Sequence, residues 1–458
     1  MSLTLPDAGA PANLARLPDP PGPEKGPSLR RLLAFRRDPL GDFQRMSARW
    51  GDVVMFHLAN RRVYLLTHPD LVRDVLVTHH RNFIKSLALQ RARVLLGTGL
   101  LTSEGEFHLR QRRLAQPAFH REKVAAMAAA MVRHAERTAR SWRPGMEFDA
   151  GREMTRMALD IAGDTLMGAD VGAEAEEINR SLTDSLALFD RLHNPFAPLL
   201  DRLPVPGTLR MKRARRQLDA TIYRAIDLRR RSGEDRDDLL GLLLSARDEE
   251  GDGGGMTDLQ LRDEMLTLFL AGHETTANAL AWTWHLLARN PDAESRLHDE
   301  LRTVLAGRAP GADDFPALPY TRAVLAESMR LYPPAWTIGR EPLEDFEARG
   351  FRIRAGSIVL VSPWVVHRDA RWWSDPLEFR PERWLGDAEA AHPRYAYFPF
   401  GGGPRKCIGE GFAWMEGVLA LATLARRWRL RPVPGAVPTP QPRITLRAIG
   451  VRMRVEAV

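Results

Sequence analysis

The feature that most constrains this chain is a long apolar segment with a clear start and a clear stop. Thr257 and Gln260 form a Thr-x-x-Gln capping box, which is typical of a helix start, and Pro291 ends the apolar run. A helix of about 33 residues is roughly 50 Å long at ~1.5 Å per residue. Because such a helix must cross the core of a domain, the chain is predicted to be mainly helical.

The middle of this helix contains residues that a buried helix normally avoids. It reads Ala-Gly-His-Glu-Thr-Thr over 271–276, with apolar residues on both sides. Glycine in a helix interior costs about 1 kcal/mol relative to alanine, and paired threonines can bend a helix. An unpaired buried acid is costly as well. These departures together indicate a functional site, with a kink at a surface bend as the alternative.

Periodicity along the chain divides it into three parts. A hairpin is predicted within 52–69, around the turn residues Ala59–Asn60–Arg61, and a helical period then runs from about Glu106 to Arg289. After Gly339 the pattern changes to short strands and loops, with a last helix from about Ile408 to Arg427. The prediction is a mainly α protein in which a helical bundle carries small β-sheets.

Composition limits the class of protein and the cellular compartment that fit this sequence. The segment 1–27 is Pro-rich and is read as a tail or strap, and residues 28–458 show no repeat or linker and are predicted to form a single domain. The single cysteine excludes an intramolecular disulfide framework and fits a reducing compartment. With no signal-peptide pattern and no apolar run of roughly 20 residues, a cytoplasmic protein without a transmembrane anchor is expected.

The net charge of +8 suits nucleic acid, acidic protein partners or anionic lipid. No zinc-finger spacing or aromatic-rich basic motif accompanies it, so no nucleic-acid partner is predicted. The densest basic stretch, Arg210–Arg231, has Leu218, Ile222 and Ile226 at helical spacing. It is predicted to be an amphipathic helix whose basic face is solvated, and a contact with a membrane or a partner stays open.

Cys407 lies in the glycine-rich stretch YFPFGGGPRKCIGEGFAW, directly after Arg405 and Lys406. A lone thiol can be a small buried hydrophobe, a nucleophile or a metal ligand. Elsewhere, Glu327 and Arg330 share one face of a helix that has apolar neighbours, and Arg383 in FRPERW is a plausible third member of that cluster.

These motifs together resemble those of the cytochrome P450 family, the haem-thiolate monooxygenases. The family signature Phe-x-x-Gly-x-Arg-x-Cys-x-Gly is matched by Phe400, Gly403, Arg405, Cys407 and Gly409. The central-helix motif is matched by Ala271–Thr276, the Glu-x-x-Arg pair by Glu327 and Arg330, and the Pro-Glu-Arg element by Pro381–Arg383. The resemblance implies the single-domain P450 fold with haem b as the cofactor.

The resemblance also implies a role for each matched residue. Cys407 is expected to ligate the iron as a thiolate, favoured by the helix that follows it. Propionate contacts are expected from Arg405, His108, Arg112 and Arg340, with His108 in a position where many members have tryptophan. Phe400, Gly403 and Gly409 are expected beside the porphyrin, because glycine permits a close backbone approach.

Thr275 and Glu274 match the residues that the family uses to deliver protons during oxygen activation, and Thr276 is the less favoured threonine. Glu327, Arg330 and Arg383 are expected to hold the cysteine loop in place. The residues expected to line the substrate pocket are Phe269, Ala271, Ala335, Trp336 and Ile338.

The leading functional hypothesis is a monooxygenase that hydroxylates an apolar carotenoid, terpenoid or fatty acid with O₂ and two electrons. The electrons are expected from a separate ferredoxin or flavodoxin with its reductase, docking around Lys406 and the Arg110–Arg113 cluster. The alternatives are a peroxygenase driven by hydrogen peroxide and a non-catalytic haem-binding sensor or electron carrier. A zinc or redox-thiol site is weaker, because no histidine cluster lies near the cysteine.

Overall fold

The computed structural model of the chain describes residues 14–23, 26, 28–168, 206–233, 238–251, 253–386 and 392–458. The α-helices of these residues are α1 (Leu29–Arg37), α2 (Pro39–Trp50), α3 (Pro69–Arg73), α4 (Leu87–Arg91), α5 (Arg93–Leu96), α6 (Gly105–Ala115), α7 (Arg121–Ser141), α8 (Ala150–Met167), α9 (Pro206–Ser232), α10 (Leu239–Ser245), α11 (Asp258–Leu287), α12 (Pro291–Leu305), α13 (Pro319–Leu331), α14 (Pro363–Val366) and α15 (Glu410–Ala425). The strands are β1 (Val53–Leu58), β2 (Arg61–Leu66), β3 (Phe83–Lys85), β4 (Glu147–Asp149), β5 (Ile338–Pro342), β6 (Phe346–Ala348), β7 (Phe351–Ile353), β8 (Ile358–Val361), β9 (Trp428–Pro432), β10 (Thr439–Pro442), β11 (Leu446–Ile449) and β12 (Arg452–Ala457).

Helices dominate and the strands form small separate sheets, so the prediction of a mainly α fold with small β-sheets is confirmed. The elements group into two compact units. The first comprises Met1–Leu87, Thr337–Trp372 and Pro393–Lys406, and the second comprises Ala88–Trp336, Trp373–His392 and Cys407–Val458. The single domain over 28–458 stays a prediction.

The first unit is built on a five-stranded sheet in the order β1-β2-β8-β5-β3. Strands β1 and β2 form the predicted hairpin, with Leu58 opposite Arg61 and Ala59 at a positive φ of 52° in the turn. Of the predicted N-terminal segment, residues 1–13, 24–25 and 27 lie outside the described residues. In the described part, the Pro21 carbonyl accepts a hydrogen bond from Met55 N (2.9 Å), so this part straps the sheet.

The second unit is centred on α11, which is 30 residues long and begins with the predicted capping box. The Thr257 N–H donates to Gln260 Oε1 (2.8 Å), and the Gln260 N–H donates to Thr257 Oγ1 (3.3 Å). The helix ends at Leu287, slightly before the predicted stop, because Pro291 starts the next helix. Helices α8, α9, α13 and α15 pack against α11, so most of its residues are buried whatever direction they face.

Two other predicted helices are present with adjusted ends. The basic segment forms α9, whose inner face buries Leu218, Ile222 and Ile226, as predicted. The last helix, α15, begins at Glu410 and ends at Ala425, shorter at both ends than the predicted span. Within the described part of the chain, every helix is too short or too polar to span a bilayer.

Candidate active site

Cys407 lies in an irregular segment just ahead of α15, and it is exposed. Gly409 caps the helix, so the thiol precedes the first turn, whose backbone N–H groups have no partner within the helix. The positive end of the helix dipole favours the thiolate over the thiol. The chain therefore presents its single thiol at an accessible position where a negative charge is favoured.

Helix α6 supplies a cation near this sulfur. Burial lowers the pKa of the Arg112 guanidinium, and the negative charge of a Cys407 thiolate opposes that shift. His108 lies one turn earlier on α6, where it is buried and its Nδ1 is 3.1 Å from Ser103 Oγ. The second unit thus brings Cys407, Arg112 and the helix of His108 to one region.

The other arginines of α6 are engaged by the loop before α11. Arg113 binds Asp248 with two parallel bonds, Nε to Oδ1 (2.9 Å) and Nη2 to Oδ2 (3.0 Å). Arg110 Nε lies 3.5 Å from Asp248 Oδ2, and its Nη2 donates to the carbonyl of Gly255 (3.3 Å). These contacts fix the orientation of α6 and neutralise part of the predicted basic cluster.

One side of α11 is open at its middle. Ala271 is exposed, and Gly272 and Thr275 are half-buried, in a helix that is otherwise buried along most of its length. A Cβ placed on Gly272 would meet nothing closer than Leu166 Cδ1 at 4.0 Å. Thr275 Oγ1 donates to the Ala271 carbonyl (2.8 Å), so its hydroxyl lies on this open side. Phe269, by contrast, is buried in the core, and its ring centroid lies 5.7 Å from that of His273 with the two rings tilted by 40°.

Glu274 is buried and held by an arginine that the sequence motifs did not identify. Arg447 Nε on β11 donates to Glu274 Oε1 at 2.7 Å, and the Arg447 side chain is 28% exposed. Asn278 secures the same hairpin, donating to Thr445 Oγ1 (3.3 Å) and accepting from the Ala448 N–H (3.1 Å). In the sequence, the signal for this attachment was an asparagine in an otherwise apolar helix. No residue near Arg447 in the sequence identified it as a partner of Glu274.

The acid–arginine cluster forms a fully buried network. Arg330 donates to both Glu327 carboxylate oxygens (2.8 Å each), and Arg383 Nε donates to Oε1 (3.1 Å). The Trp384 indole and the Arg380 N–H also donate to this carboxylate (3.0 Å each). With five donors on one carboxylate, the buried charge is compensated and the segment that contains Arg383 is fixed to α13.

The remaining predicted pocket residues have different surroundings. Trp336 is buried and donates its indole N–H to the Arg443 carbonyl (2.8 Å), and Ala335 beside it is half-buried. In the first unit, Ile338 lies on β5 and is half-buried. Arg340 lies on the same strand and is buried, and its Nη1 donates to the Gly339 carbonyl (3.0 Å).

The first unit also contains the start of the cysteine signature. Phe400 and Arg405 are half-buried and Lys406 is exposed. Gly403 has a φ of +66°, and a Cβ there would lie 2.0 Å from the Leu76 carbonyl oxygen. Gly403 is therefore required by the protein backbone itself. A Cβ on Gly409 would meet nothing closer than Phe119 at 3.7 Å. Steric crowding by the protein therefore does not explain why this position is a glycine.

This donor set suits a haem held by one axial thiolate. The exposed sulfur at a helix N-terminus, the nearby Arg112 and the open side of α11 fit that group better than a multi-ligand metal site. A family model described as cytochrome P450 matches residues 20–452. The chain belongs to the cytochrome P450 family.

Curated P450 relatives resemble the chain over nearly its full length. Cyclooctatin synthase of Streptomyces melanosporofaciens is 41% identical over 429 residues, covering 93% of each protein. Cyclooctat-9-en-7-ol 5-monooxygenase from the same organism is 40% identical over 90% of each protein. Pentalenene oxygenase of Streptomyces avermitilis is 39% identical, over 90% of this chain and 91% of that relative.

The family assignment settles the reaction class. This P450 uses haem, iron protoporphyrin IX, as its cofactor and is a monooxygenase. Like P450 monooxygenases in general it needs O₂ and a redox partner. The predicted family, cofactor and enzyme class are therefore confirmed.

Proposed function

We propose that this P450 hydroxylates an apolar terpenoid and that Cys407 would hold haem b as its thiolate ligand. The observation that carries the ligand assignment is the exposed Cys407 thiol ahead of α15, with Arg112 in electrostatic range. The narrowing from carotenoid, terpenoid or fatty acid to terpenoid is supported by the names of the three relatives, which refer to cyclooctatin and pentalenene chemistry. The predicted pocket residues are mostly apolar, as such a substrate requires.

In this proposal, α6 and the cysteine turn hold the cofactor. Arg112 and His108 contact the propionates from α6, and the family motif extends the same role to Arg405 and Arg340. Phe400, Gly403 and Gly409 lie beside the porphyrin. A haem bound through thiolate activates O₂ for insertion of one oxygen atom into a substrate C–H bond.

The proposed oxygen-side residues are Thr275 and Glu274. Thr275 has its hydroxyl on the open side of α11, where it holds a proton for the reacting oxygen. Glu274 passes protons inward from solvent, which reaches the partly exposed Arg447 bound to it. Arg447 therefore holds the Glu274 carboxylate in one position between proton transfers.

Electrons are proposed to come from an acidic ferredoxin or flavodoxin with its reductase. The net charge of +8 supports an acidic partner, and Lys406 is exposed beside the ligand cysteine. Asp248 pairs with both Arg110 and Arg113 and neutralises part of their charge. The docking surface is therefore centred on Lys406 rather than on the whole Arg110–Arg113 cluster.

The decisive test is the carbon monoxide difference spectrum of the reduced protein. The native chain should show the long-wavelength Soret band of a thiolate-ligated haem. Cys407→Ala should lose this band, whereas Lys406→Ala, a neighbouring exposed position, should retain it. A native protein without the band, or a C407A variant that keeps it, would overturn the ligand assignment.

The substrate class is tested by binding spectra. Cyclic terpenoid hydrocarbons should shift the Soret band of the oxidised protein at micromolar concentration, and fatty acids of similar carbon number should not. Tighter binding of the fatty acids would contradict the terpenoid proposal but would not affect the assignment of Cys407 as the thiolate ligand.

A further inference from the structure

Asp248 is a buried acid in the loop between α10 and α11. It begins the stretch DEEGDGGG, and only 2% of the residue is exposed. Carboxylates are rarely enclosed to this extent unless they are paired, because the loss of their hydration is costly. The partners of Asp248 therefore indicate what this loop contributes to the protein.

The partners are two arginines of α6. Arg113 binds both carboxylate oxygens of Asp248 with parallel bonds of 2.9 and 3.0 Å, and Arg110 Nε lies 3.5 Å from Oδ2. Arg110 Nη2 also donates to the carbonyls of Gly254 (3.4 Å) and Gly255 (3.3 Å). A bidentate bond from a planar guanidinium fixes the direction of approach as well as the distance. The loop therefore holds α6 through two side chains that lie one turn apart.

The backbone of the loop curls around Asp248. The N–H groups of Gly251 and Gly253 both donate to the Asp248 carbonyl (3.0 Å each), and the Asp248 N–H donates to the Gly254 carbonyl (3.1 Å). Gly253 has a φ of +67°, a conformation that favours glycine. A Cβ on Gly251 would lie 2.2 Å from Asp248 Oδ2 and 3.2 Å from Arg113 Nη2. The glycines of this stretch thus leave room for the ion pair.

Helical spacing divides the polar side chains of α6 between two faces. Arg110 and Arg113 are three residues apart and share the face toward the loop, whereas His108 and Arg112 are four residues apart and share another. The two pairs point about 150° apart at 3.6 residues per turn. His108 is buried and Arg112 is half-buried. The attachment to the loop therefore sets the rotation of α6 about its axis, and that rotation decides where His108 and Arg112 point.

We propose that Asp248 is a positioning residue for the cofactor. It holds Arg110 and Arg113 on one face of α6 and thereby directs His108 and Arg112, on the other face, toward the haem propionates. Its negative charge also offsets the mutual repulsion of three arginines within four positions of the helix. The direction toward the propionates rests on the proposed function, whereas the ion pair of Asp248 does not.

The ion pair is tested by thermal unfolding of the purified haem-containing protein. Asp248→Asn and Arg113→Met should each lower the thermal midpoint, and the double variant should lose less than the sum of the two single losses. Residues that form one pair are coupled in this way, whereas the effects of independent residues add. Additive losses would overturn the ion pair.

Positioning is tested by the rate at which the same protein transfers haem to an excess of apomyoglobin. Arg112→Met removes a proposed propionate contact directly and should speed the transfer about tenfold, the scale of a hydrogen bond to a charged group. Asp248→Asn leaves Arg112 in the chain but less well directed, and should speed the transfer about threefold, the scale of a neutral hydrogen bond. Glu294→Gln is the matched control, because Glu294 is also buried and binds Arg431 with two bonds (2.9 and 2.8 Å). It should leave the rate within about twofold of the native value.

The resonance Raman spectrum of the oxidised protein supplies a readout that a loss of stability alone does not move. The bending band of the haem propionates should shift in R112M, and it should shift in the same direction by a smaller amount in D248N. The band should stay in place in E294Q. If D248N does not fold, R113M replaces it with R431M as its control, because both arginine side chains are partly exposed (37% for Arg113 and 29% for Arg431).

The two proposals fail in different ways. If R112M speeds haem transfer but folded D248N behaves like E294Q, Asp248 is not a positioning residue. If R112M transfers haem at the native rate with an unmoved band, the proposed propionate contact of Arg112 is wrong, and the positioning role of Asp248 is overturned with it. Only the ion pair, measured by the thermal cycle, then remains.

Discussion

Arg447 Nε lies 2.7 Å from Glu274 Oε1, and this ion pair joins a C-terminal hairpin to the middle of the central helix. The carboxylate is nearly enclosed, with 9% of its side chain exposed, whereas the arginine keeps contact with solvent. Glu274 is therefore both neutralised and oriented by a residue outside every P450 motif recognised in the sequence. The proposed proton path depends on the hairpin as much as on the helix.

Arg447→Met should destabilise the protein by about 1–3 kcal/mol, because it leaves the Glu274 carboxylate buried without its donor. Arg447→Lys should recover part of that loss. The control is Arg452→Met, which removes an exposed pair with Glu147 and should change stability by less than ~1 kcal/mol. Denaturant unfolding measures all three variants, and equal losses for R447M and R452M would show that the Glu274 pair does not stabilise the fold.

Glu327→Gln should lower the free energy of unfolding by about 3–5 kcal/mol, because it leaves two buried arginines with one carbonyl oxygen in place of a carboxylate. Glu382→Gln removes a more exposed acid bound to Arg296 and should cost far less. The measurement is the yield of haem-containing protein together with its thermal midpoint. A Glu327→Gln variant as stable as Glu382→Gln would contradict the structural role of the cluster.

Gly97→Ala and Gly272→Ala should change stability in opposite directions. Gly97 has a φ of +65°, and a Cβ there would lie 2.1 Å from the Asp263 carboxylate, which accepts the Thr98 N–H at 2.7 Å. That substitution should cost more than ~1–2 kcal/mol, the penalty of the backbone conformation alone. Gly272 is helical with open space beside it, so alanine should stabilise by up to ~1 kcal/mol.

The same Gly272→Ala variant should bind terpenoid substrate less well if the open side of α11 faces the pocket. Unfolding curves and binding spectra of the two glycine variants separate these effects. A destabilised G272A would show that the side chain does not fit beside Leu166.

Acid stability should depend on His298. Burial lowers its pKa from 6.5 to about 4, so the unfolded chain binds more protons than the folded one between these values. Stability is therefore lost as the pH falls through this window, by at most about 1.4 kcal/mol per pH unit. His298→Gln should flatten this loss, whereas substitution of the exposed His120 should not. Parallel acid profiles for the native protein and H298Q would contradict a neutral buried His298.

Local signals made much of this fold predictable. The capping box at Thr257 and Gln260 located the start of α11, and apolar spacing identified the buried face of α9. Short-range patterns succeed here because caps and amphipathic faces are set by residues within a few positions of one another. The Glu327 network was partly predictable because two of its members lie on one turn of α13.

The partners of central residues were not predictable in this way. Arg447 is separated from Glu274 by 173 positions, and no period or cap connects them. The steric need for Gly97 is likewise visible only once Asp263 lies beside it.

The hairpin attachment also sets an order of events during synthesis. Arg447 and Ala448 are made 40 residues or more after Cys407 and long after α11 has left the ribosome. Until they are made, Glu274 and Asn278 have no partners from the hairpin, so a nascent chain that already contains the whole cysteine signature still lacks these two attachments of the central helix. Ribosome-bound chains stalled before Arg447 are thus expected to contain the central helix without its contacts to the hairpin.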